Sequence, residues 1–245
     1  MQLVAHRGNA REYPENTLPA FQSALALGTR HLELDVQLSA DRVPIVLHDA
    51  TLRRTAGRAG RVFDLTAATL SQIETAGPGR LGERHRGATI PLLADVLHLI
   101  DDRPDVTLFV EIKRESLKQF GLEEVVGRVV ETCSPWRTQC VTISFELAAI
   151  ARARELGAAA IGWVLGNLRD RTRLACEALA PEYVFVDVKK LSRTDPLWRG
   201  PWRWVVYEVD SLPVARALAA RGVELIETMA VGPMSRALGE PRSPL

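Results

Sequence analysis

The chain predicts a TIM (β/α)8 barrel, and three observations carry that expectation. Short apolar strands alternate with helical runs about eight times, the 245 residues suit one such barrel, and charged side chains recur where strands end. Strands that alternate with helices form right-handed β-α-β units around a parallel sheet, and about eight units favour closure. The whole chain, 1–245, is expected to be one barrel domain.

In chain order, the strands are expected at 3–5, 31–37 with a neighbour at 43–47, 106–111, 140–143, 159–164, 183–187, 204–208 and 224–227. Helices are expected at 17–27, 92–100, 117–131, 146–155, 172–179, 212–220 and 233–238. Asn16-Thr17 and Pro14 give the first helix a start signal, while Gly28, Gly157 and Gly222 stop helices. Residues 50–90 break the rhythm, with Gly57, Gly60, Gly77, Gly79, Gly82, Gly87, several arginines and one short helical run near 65–74. They read as a small insertion after the second strand, seated over the barrel mouth. The tail from Gly239 is expected to fray.

Composition narrows the function. Apolar residues make up 47% and charged residues 25%, which describes a globular protein rather than a disordered one. A net charge of +1 supplies no basic field for nucleic acid. Cys133, Cys140 and Cys176 are odd in number and lack metal-ligand spacing, which points to a reducing cytoplasm. No basic segment followed by a long apolar run opens the chain, so no secretory signal is expected. No run of 18 uninterrupted apolar residues predicts a spanning helix. The stretch Trp198-Arg199-Gly200-Pro201-Trp202-Arg203-Trp204 interleaves aromatics with arginine, but packing explains it better than a membrane surface does. Membrane association is not expected, and the oligomeric state is left open.

The chemistry concentrates at strand ends. Side chains alternate along a strand, so Glu33 and Asp35 share one face while Leu32, Leu34 and Val36 share the other. Glu111 and Lys113 share a face by the same rule. Carboxylates buried together are expensive unless something cationic holds them. Glu33, Asp35 and Glu111 therefore suggest a metal site, and oxygen donors without cysteine suit Mg²⁺ or Ca²⁺. His6 and His48 each close an apolar run beside this cluster and suit acid/base work. Asp49 could orient His48, though a loop-capping role is the expectation. Arg7 and Lys113 add fixed positive charge suited to a phosphate, and Gly8 would let backbone approach a ligand. A helix start accounts for Asn16 and Thr17; Glu15 has no such account and is a candidate on the substrate side. Ser144 with Phe145 could line the mouth or open the next helix.

These motifs together resemble the glycerophosphodiester phosphodiesterase family. The resemblance rests on His6-Arg7-Gly8, Glu15-Asn16-Thr17, Glu33-Leu34-Asp35-Val36, His48-Asp49, Glu111-Ile112-Lys113 and Ser144-Phe145. It covers roughly the first 145 residues densely and the rest loosely, and a set of that size is far more specific than one short motif. It implies a TIM barrel with an insertion after the second strand and metal-dependent hydrolysis of glycerophosphodiesters to glycerol 3-phosphate and an alcohol. It further implies Glu33, Asp35 and Glu111 as ligands of a divalent cation, His6 and His48 as the acid/base pair, and Arg7 and Lys113 on the phosphate. A cyclic phosphate on the path is implied as well. The rival readings are a phospholipase-type enzyme acting on lysophospholipids and a barrel that binds a phosphate ligand without catalysis. The chain departs from the family near its end, reading Val206-Tyr207-Glu208-Val209-Asp210 and Ile226-Glu227-Thr228-Met229. Those departures are expected to bear on the alcohol side alone and to leave the metal and the histidines untouched.

Overall fold

The computed structural model of the protein describes residues 1–75, 85–192, 194 and 196–238. Eight parallel strands close on themselves: β1 (Gln2–His6), β2 (His31–Leu38), β4 (Thr107–Ile112), β5 (Cys140–Ser144), β6 (Ala160–Val164), β7 (Tyr183–Asp187), β8 (Arg203–Tyr207) and β9 (Leu225–Thr228). Closure comes from the pairing of β1 with both β2 and β9. A ninth strand, β3 (Pro44–Val46), is not a barrel stave: it pairs antiparallel with β2, Val36 opposite Val46. The run before His48 is thus the return arm of a hairpin, too short and wrongly directed to join the parallel ring.

Two apolar layers follow from alternation along the strands. Val4, Phe109, Ile143, Val164, Phe185 and Leu225 fill the barrel interior. Phe109 sits edge-on to Phe185 with ring centres 5.1 Å apart. The outward residues Leu32, Leu34, Val36, Leu108 and Val110 pack against the surrounding helices. Those helices include α1 (Leu18–Ala26), α4 (Leu93–His98), α7 (Leu147–Glu155), α8 (Asp170–Leu179), α9 (Leu212–Ala220) and α10 (Val231–Leu238). The helix expected over 117–131 is two helices, α5 (Arg114–Phe120) and α6 (Leu122–Cys133). Gly121 between them takes φ +84°, a left-handed backbone that ends α5 and turns the chain.

The insertion packs Leu52, Val62, Phe63, Leu70, Ile73 and Ile90 with Ile45 and Leu47 of the β3 arm into a second apolar cluster. It carries two short helices, α2 (Arg53–Ala56) and α3 (Ala67–Leu70); the pattern near 65–74 signals only the second. Its Arg54 pairs with Glu15, and its His85 ring lies tilted against Tyr13 with centroids 4.7 Å apart. Gly77, Gly79, Gly82 and the tail from Gly239 lie outside the described residues.

The tryptophan-rich stretch is packing. Trp202 and Trp204 are buried, and Trp204 Nε1 donates to the Trp198 carbonyl at 3.1 Å. Cys133, Cys140 and Cys176 are buried and free. Among the described residues, no helix is long and apolar enough to cross a membrane. A pocket of about 350 Å³ lies at the N-terminal ends of the strands, lined by Gln2, Thr29, His31 and Arg103. Among the described residues, the groups of side chains able to hold a metal lie at the opposite end.

Candidate active site

Alternation and register assemble the site. Within β2, Glu33, Asp35 and Gln37 point inward at successive even steps, and the parallel register sets Asp35 beside Glu111 and His6 beside Glu33. Glu33 and Asp35 are buried at 1% exposure, and Glu111 is nearly so. One oxygen from each of the three carboxylates falls within 4.8 Å of the others.

The cluster is held by cations of unequal reach. Lys113 Nζ donates to Asp35 Oδ1 at 3.0 Å and to Glu111 Oε1 at 2.8 Å. Arg7 Nε lies 2.9 Å from Asp35 Oδ2, and Arg7 Nη1 donates to Glu15 Oε1 at 2.9 Å. Burial raises the Asp35 carboxyl, but Arg7 and Lys113 outweigh it and hold Asp35 well below the usual range. Burial likewise works against charge on Lys113, and Asp35 and Glu111 keep it firmly protonated. Glu33 has no such partner: burial, then the nearby Asp35 and Glu227 charges, push it well up. Its Oε1 is buried without a hydrogen bond. An orphaned oxygen within an all-oxygen set of three carboxylates fits a hard divalent cation.

Two positions use left-handed backbone to aim these groups. Arg7 has φ +57°, which swings its guanidinium from the end of β1 over Asp35. Asn16 has φ +58°, and its Nδ2 donates to Asp35 Oδ2 at 2.8 Å. Asparagine tolerates that conformation better than most residues. The helix-start reading of Asn16 therefore fails; it is a clamp on the buried aspartate. Thr17 does not cap α1 with its side chain either, because its hydroxyl donates to the Pro14 carbonyl at 2.7 Å. Gly8, at φ +79°, is required by the protein rather than by a ligand: a Cβ there would meet Ala20 at 2.7–2.9 Å.

The two histidines occupy contrasting sites on one cavity of about 410 Å³, which His6, Arg7, Glu33, His48, Glu111 and Lys113 line together. His6 is buried, with Nε2 3.3 Å from Glu227 Oε1 and 3.8 Å from Glu33 Oε2. Burial, and after it the Arg7 charge, lowers its pKa to about 3. The His48 side chain is one-third exposed on the loop after β3, its Nδ1 2.6 Å from Asp49 Oδ1. Asp49 in turn accepts from Arg54 Nε at 2.6 Å. The loop-capping expectation for Asp49 gives way: it orients His48. Gln37 fixes the same loop, donating from Nε2 to the His48 carbonyl at 3.0 Å.

Glu15 does not line the cavity; it bridges Arg7 and Arg54, accepting from Arg54 at 2.7 and 2.8 Å. Ser144 is fully buried and turned into the wall, where its hydroxyl donates to the Ile112 carbonyl and accepts from the Glu146 amide. Its neighbour Phe145 lines the cavity instead, with Phe185 and Tyr207 on the same apolar flank. The late departures from the family pattern do reach the histidine. Glu227 touches His6, and Glu208, at φ +62°, approaches His6 Nδ1 at 4.0 Å. Glu227 was missed although the alternation that exposes Glu33 and Asp35 also turns it inward beside Leu225.

The profile of the glycerophosphoryl diester phosphodiesterase family matches residues 6–195, three quarters of the chain and every candidate residue above except Glu208 and Glu227. The chain belongs to that family. Among curated members, the glycerophosphodiester phosphodiesterase of Caldanaerobacter subterraneus subsp. tengcongensis is 38% identical over 129 residues, 53% of this chain and 52% of that protein. That of Bacillus altitudinis is 38% identical over 130 residues, again 53% of this chain and 52% of that one. The matched region thus spans about half the length of these curated relatives. In structure, the chain is similar to an Oleispira antarctica phosphodiesterase solved in complex with the product sn-glycerol-3-phosphate. The TM-score is 0.83 at 22% identity, covering 98% of this chain and 97% of the other. A family member from Galdieria sulphuraria gives a TM-score of 0.81 at 19% identity, covering 98% of both chains. At such identity these two likenesses establish the barrel and nothing finer.

Proposed function

We propose that the chain hydrolyses glycerophosphodiesters to glycerol 3-phosphate and an alcohol, using His6 and His48 as the proton carriers. One observation carries the reading: both imidazoles, Glu33 and Glu111 of the acidic cluster, Arg7 and Lys113 line a single cavity at the C-terminal end of the barrel. The product held by the Oleispira neighbour is of the same chemical class.

Arg7 and Lys113 are the cations on that wall that also pair with the acidic cluster, and they bind the phosphoryl oxygens, where they stabilise charge as it builds. Glu33, Asp35 and Glu111 would hold a divalent cation, Mg²⁺ or Ca²⁺, which would supply further neutralisation at those oxygens. His6 is the base of the first step. It takes the proton from the glycerol 2-hydroxyl, whose oxygen bonds to phosphorus as the bond to the alcohol oxygen breaks. His48 gives its Nε2 proton to that departing oxygen. A hydroxyl on the substrate itself gains from proximity, and the result is a five-membered cyclic phosphate. In the second step His48 takes a proton from water, the hydroxyl opens the ring, and His6 returns its proton to the 2-oxygen. The environments support this division. Burial keeps His6 neutral, with a ring nitrogen free to accept, while the Asp49 carboxylate holds the His48 ring by Nδ1 and leaves its Nε2 for the departing oxygen. The ring of His48 is also the one nearer solvent, from which water arrives.

The test is a panel of glycerophosphodiesters and lysophosphatidylcholine vesicles, assayed with EDTA, Mg²⁺, Ca²⁺ or Mn²⁺ and read by release of glycerol 3-phosphate. Cation-dependent release from the soluble diesters, with a transient cyclic phosphate visible by phosphorus NMR, is the expected result. Faster turnover of the vesicles would select the phospholipase reading, and recovery of every substrate intact would overturn catalysis.

A further inference from the structure

Glu227 is a buried carboxylate for which the proposed hydrolysis has no use. It sits on the last barrel strand at 3% exposure, and its Oε2 has no hydrogen-bond partner. Its ion-pair neighbour is His6, and among the described residues no lysine or arginine forms an ion pair with it. Facing it is Glu33, whose Oε1 is buried and equally unpartnered. Two carboxylates and an imidazole thus converge with orphaned oxygens at a buried point on the cavity wall. Such a group is unfavourable unless protons or a cation settle it.

We propose that His6 Nε2, Glu33 and Glu227 form a second cation site, selective for a divalent first-row transition ion such as Zn²⁺ and sharing Glu33 with the all-oxygen site. The spacing fits. One atom from each of the three residues lies within 4.8 Å of the others, with His6 Nε2 at 3.3 Å from Glu227 Oε1 and 3.8 Å from Glu33 Oε2. Zinc bonds of about 2.0–2.1 Å in a tetrahedron put donor atoms roughly 3.4 Å apart, so little movement is needed. The chemistry fits as well, because an imidazole nitrogen with two carboxylates suits zinc or manganese, whereas magnesium prefers oxygen alone. The other nitrogen of His6 looks towards Glu208 Oε1 at 4.0 Å, one water or a small rotamer change short of the carboxylate partner that metal-bound histidines commonly have.

Occupation has a consequence that rests on His6 being the base of the proposed hydrolysis. A cation on Nε2 takes the lone pair the base needs, so zinc suppresses the magnesium-supported reaction. The site is then a built-in inhibitory site, with Glu227 as the residue that recruits the ion.

The experiment is zinc binding by calorimetry, and zinc inhibition of hydrolysis, on the full chain stripped with EDTA and held in saturating Mg²⁺. Wild type should bind one Zn²⁺ through this triad and lose rate by roughly 100-fold, the scale of a missing general base. E227Q and H6Q should lose that equivalent, and E111Q, which damages only the all-oxygen site, should keep it. Inhibition of E227Q, measured against its own magnesium rate, should need about 100-fold more zinc. Unchanged zinc affinity in E227Q and H6Q overturns the proposal; if E227Q does not fold by circular dichroism, H6Q decides alone. Zinc bound as described without hydrolysis of any diester refutes the hydrolytic reading and leaves the site standing. Hydrolysis without that zinc equivalent does the reverse.

Discussion

His6 and His48 line one cavity, yet the chain surrounds them in opposite ways. His6 ends a barrel strand, is buried, and stands among Glu33, Glu227 and Glu208 with its Nδ1 unpartnered. His48 rides on the loop of a hairpin outside the parallel ring, one-third exposed, with Nδ1 tied to Asp49 and Asp49 tied to Arg54. One side chain is kept neutral by burial; the other is steered by a chain of charged hydrogen bonds that leads into the insertion. Burial and partnership are two separate ways of holding an imidazole, and this barrel uses one on each side of a single cavity.

The largest expected effects probe the pair itself. His6→Ala and His48→Ala should each lower turnover by about 10²–10⁴-fold, with cooperative thermal melts retained. A near-normal rate in either variant would remove that residue from the chemistry. The next effect probes the arm that steers His48. Asp49→Asn should lower kcat by about 10- to 100-fold, less than loss of the histidine, with KM little changed, because only the tautomer and orientation of the ring are disturbed. An equal loss in KM would mean that Asp49 contacts substrate instead.

Smaller effects concern the scaffold under the two rings. Asn16→Ala removes the clamp on Asp35 and should destabilise the protein by about 1.5–3 kcal/mol in chemical denaturation, the range for hydrogen bonds to a buried charge. No change would make Arg7 and Lys113 sufficient by themselves. The smallest concerns Glu227 and is visible only against pH. Burial, and after it Glu111, raises this carboxyl well above its ordinary 4.5. The folded state thus binds that proton more tightly than the unfolded chain does, so stability falls as pH rises from 4.5 toward the raised folded value. Metal-free Glu227→Gln should match wild type near pH 4 and become relatively more stable as pH climbs to 8. A difference independent of pH would show that Glu227 is not ionised with cost in the fold.

The contrast between the two histidines also explains what was legible in the sequence. A period of two residues is enough to put Glu33, Asp35 and Gln37 on one face and Lys113 beside Glu111, because the barrel's strands are regular. His6, at the end of a regular strand, follows from the same rule. His48 does not: an apolar run of strand length gives no sign of its pairing partner, so a hairpin arm and a barrel stave look alike. Asn16 was hidden behind helix-start chemistry, and only φ +58° turns its amide from a cap into a clamp. Ser144 shows the converse, a polar residue at a strand tip whose hydroxyl is spent on backbone. Glu227 carried the signal of alternation but no motif, and its contact with His6 depends on the closure of β9 against β1, a pairing between the two ends of the chain.

The division of labour is tested most directly by the leaving group. Wild type, His6→Ala and His48→Ala should be assayed on glycerophosphocholine and on the p-nitrophenyl diester of glycerol 3-phosphate, whose phenolate departs without needing a proton. If His48 is the acid and His6 the base, His48→Ala recovers most of its lost rate on the nitrophenyl substrate while His6→Ala stays impaired on both. Recovery in His6→Ala alone, or equal losses on the two substrates in both variants, would contradict the assignment.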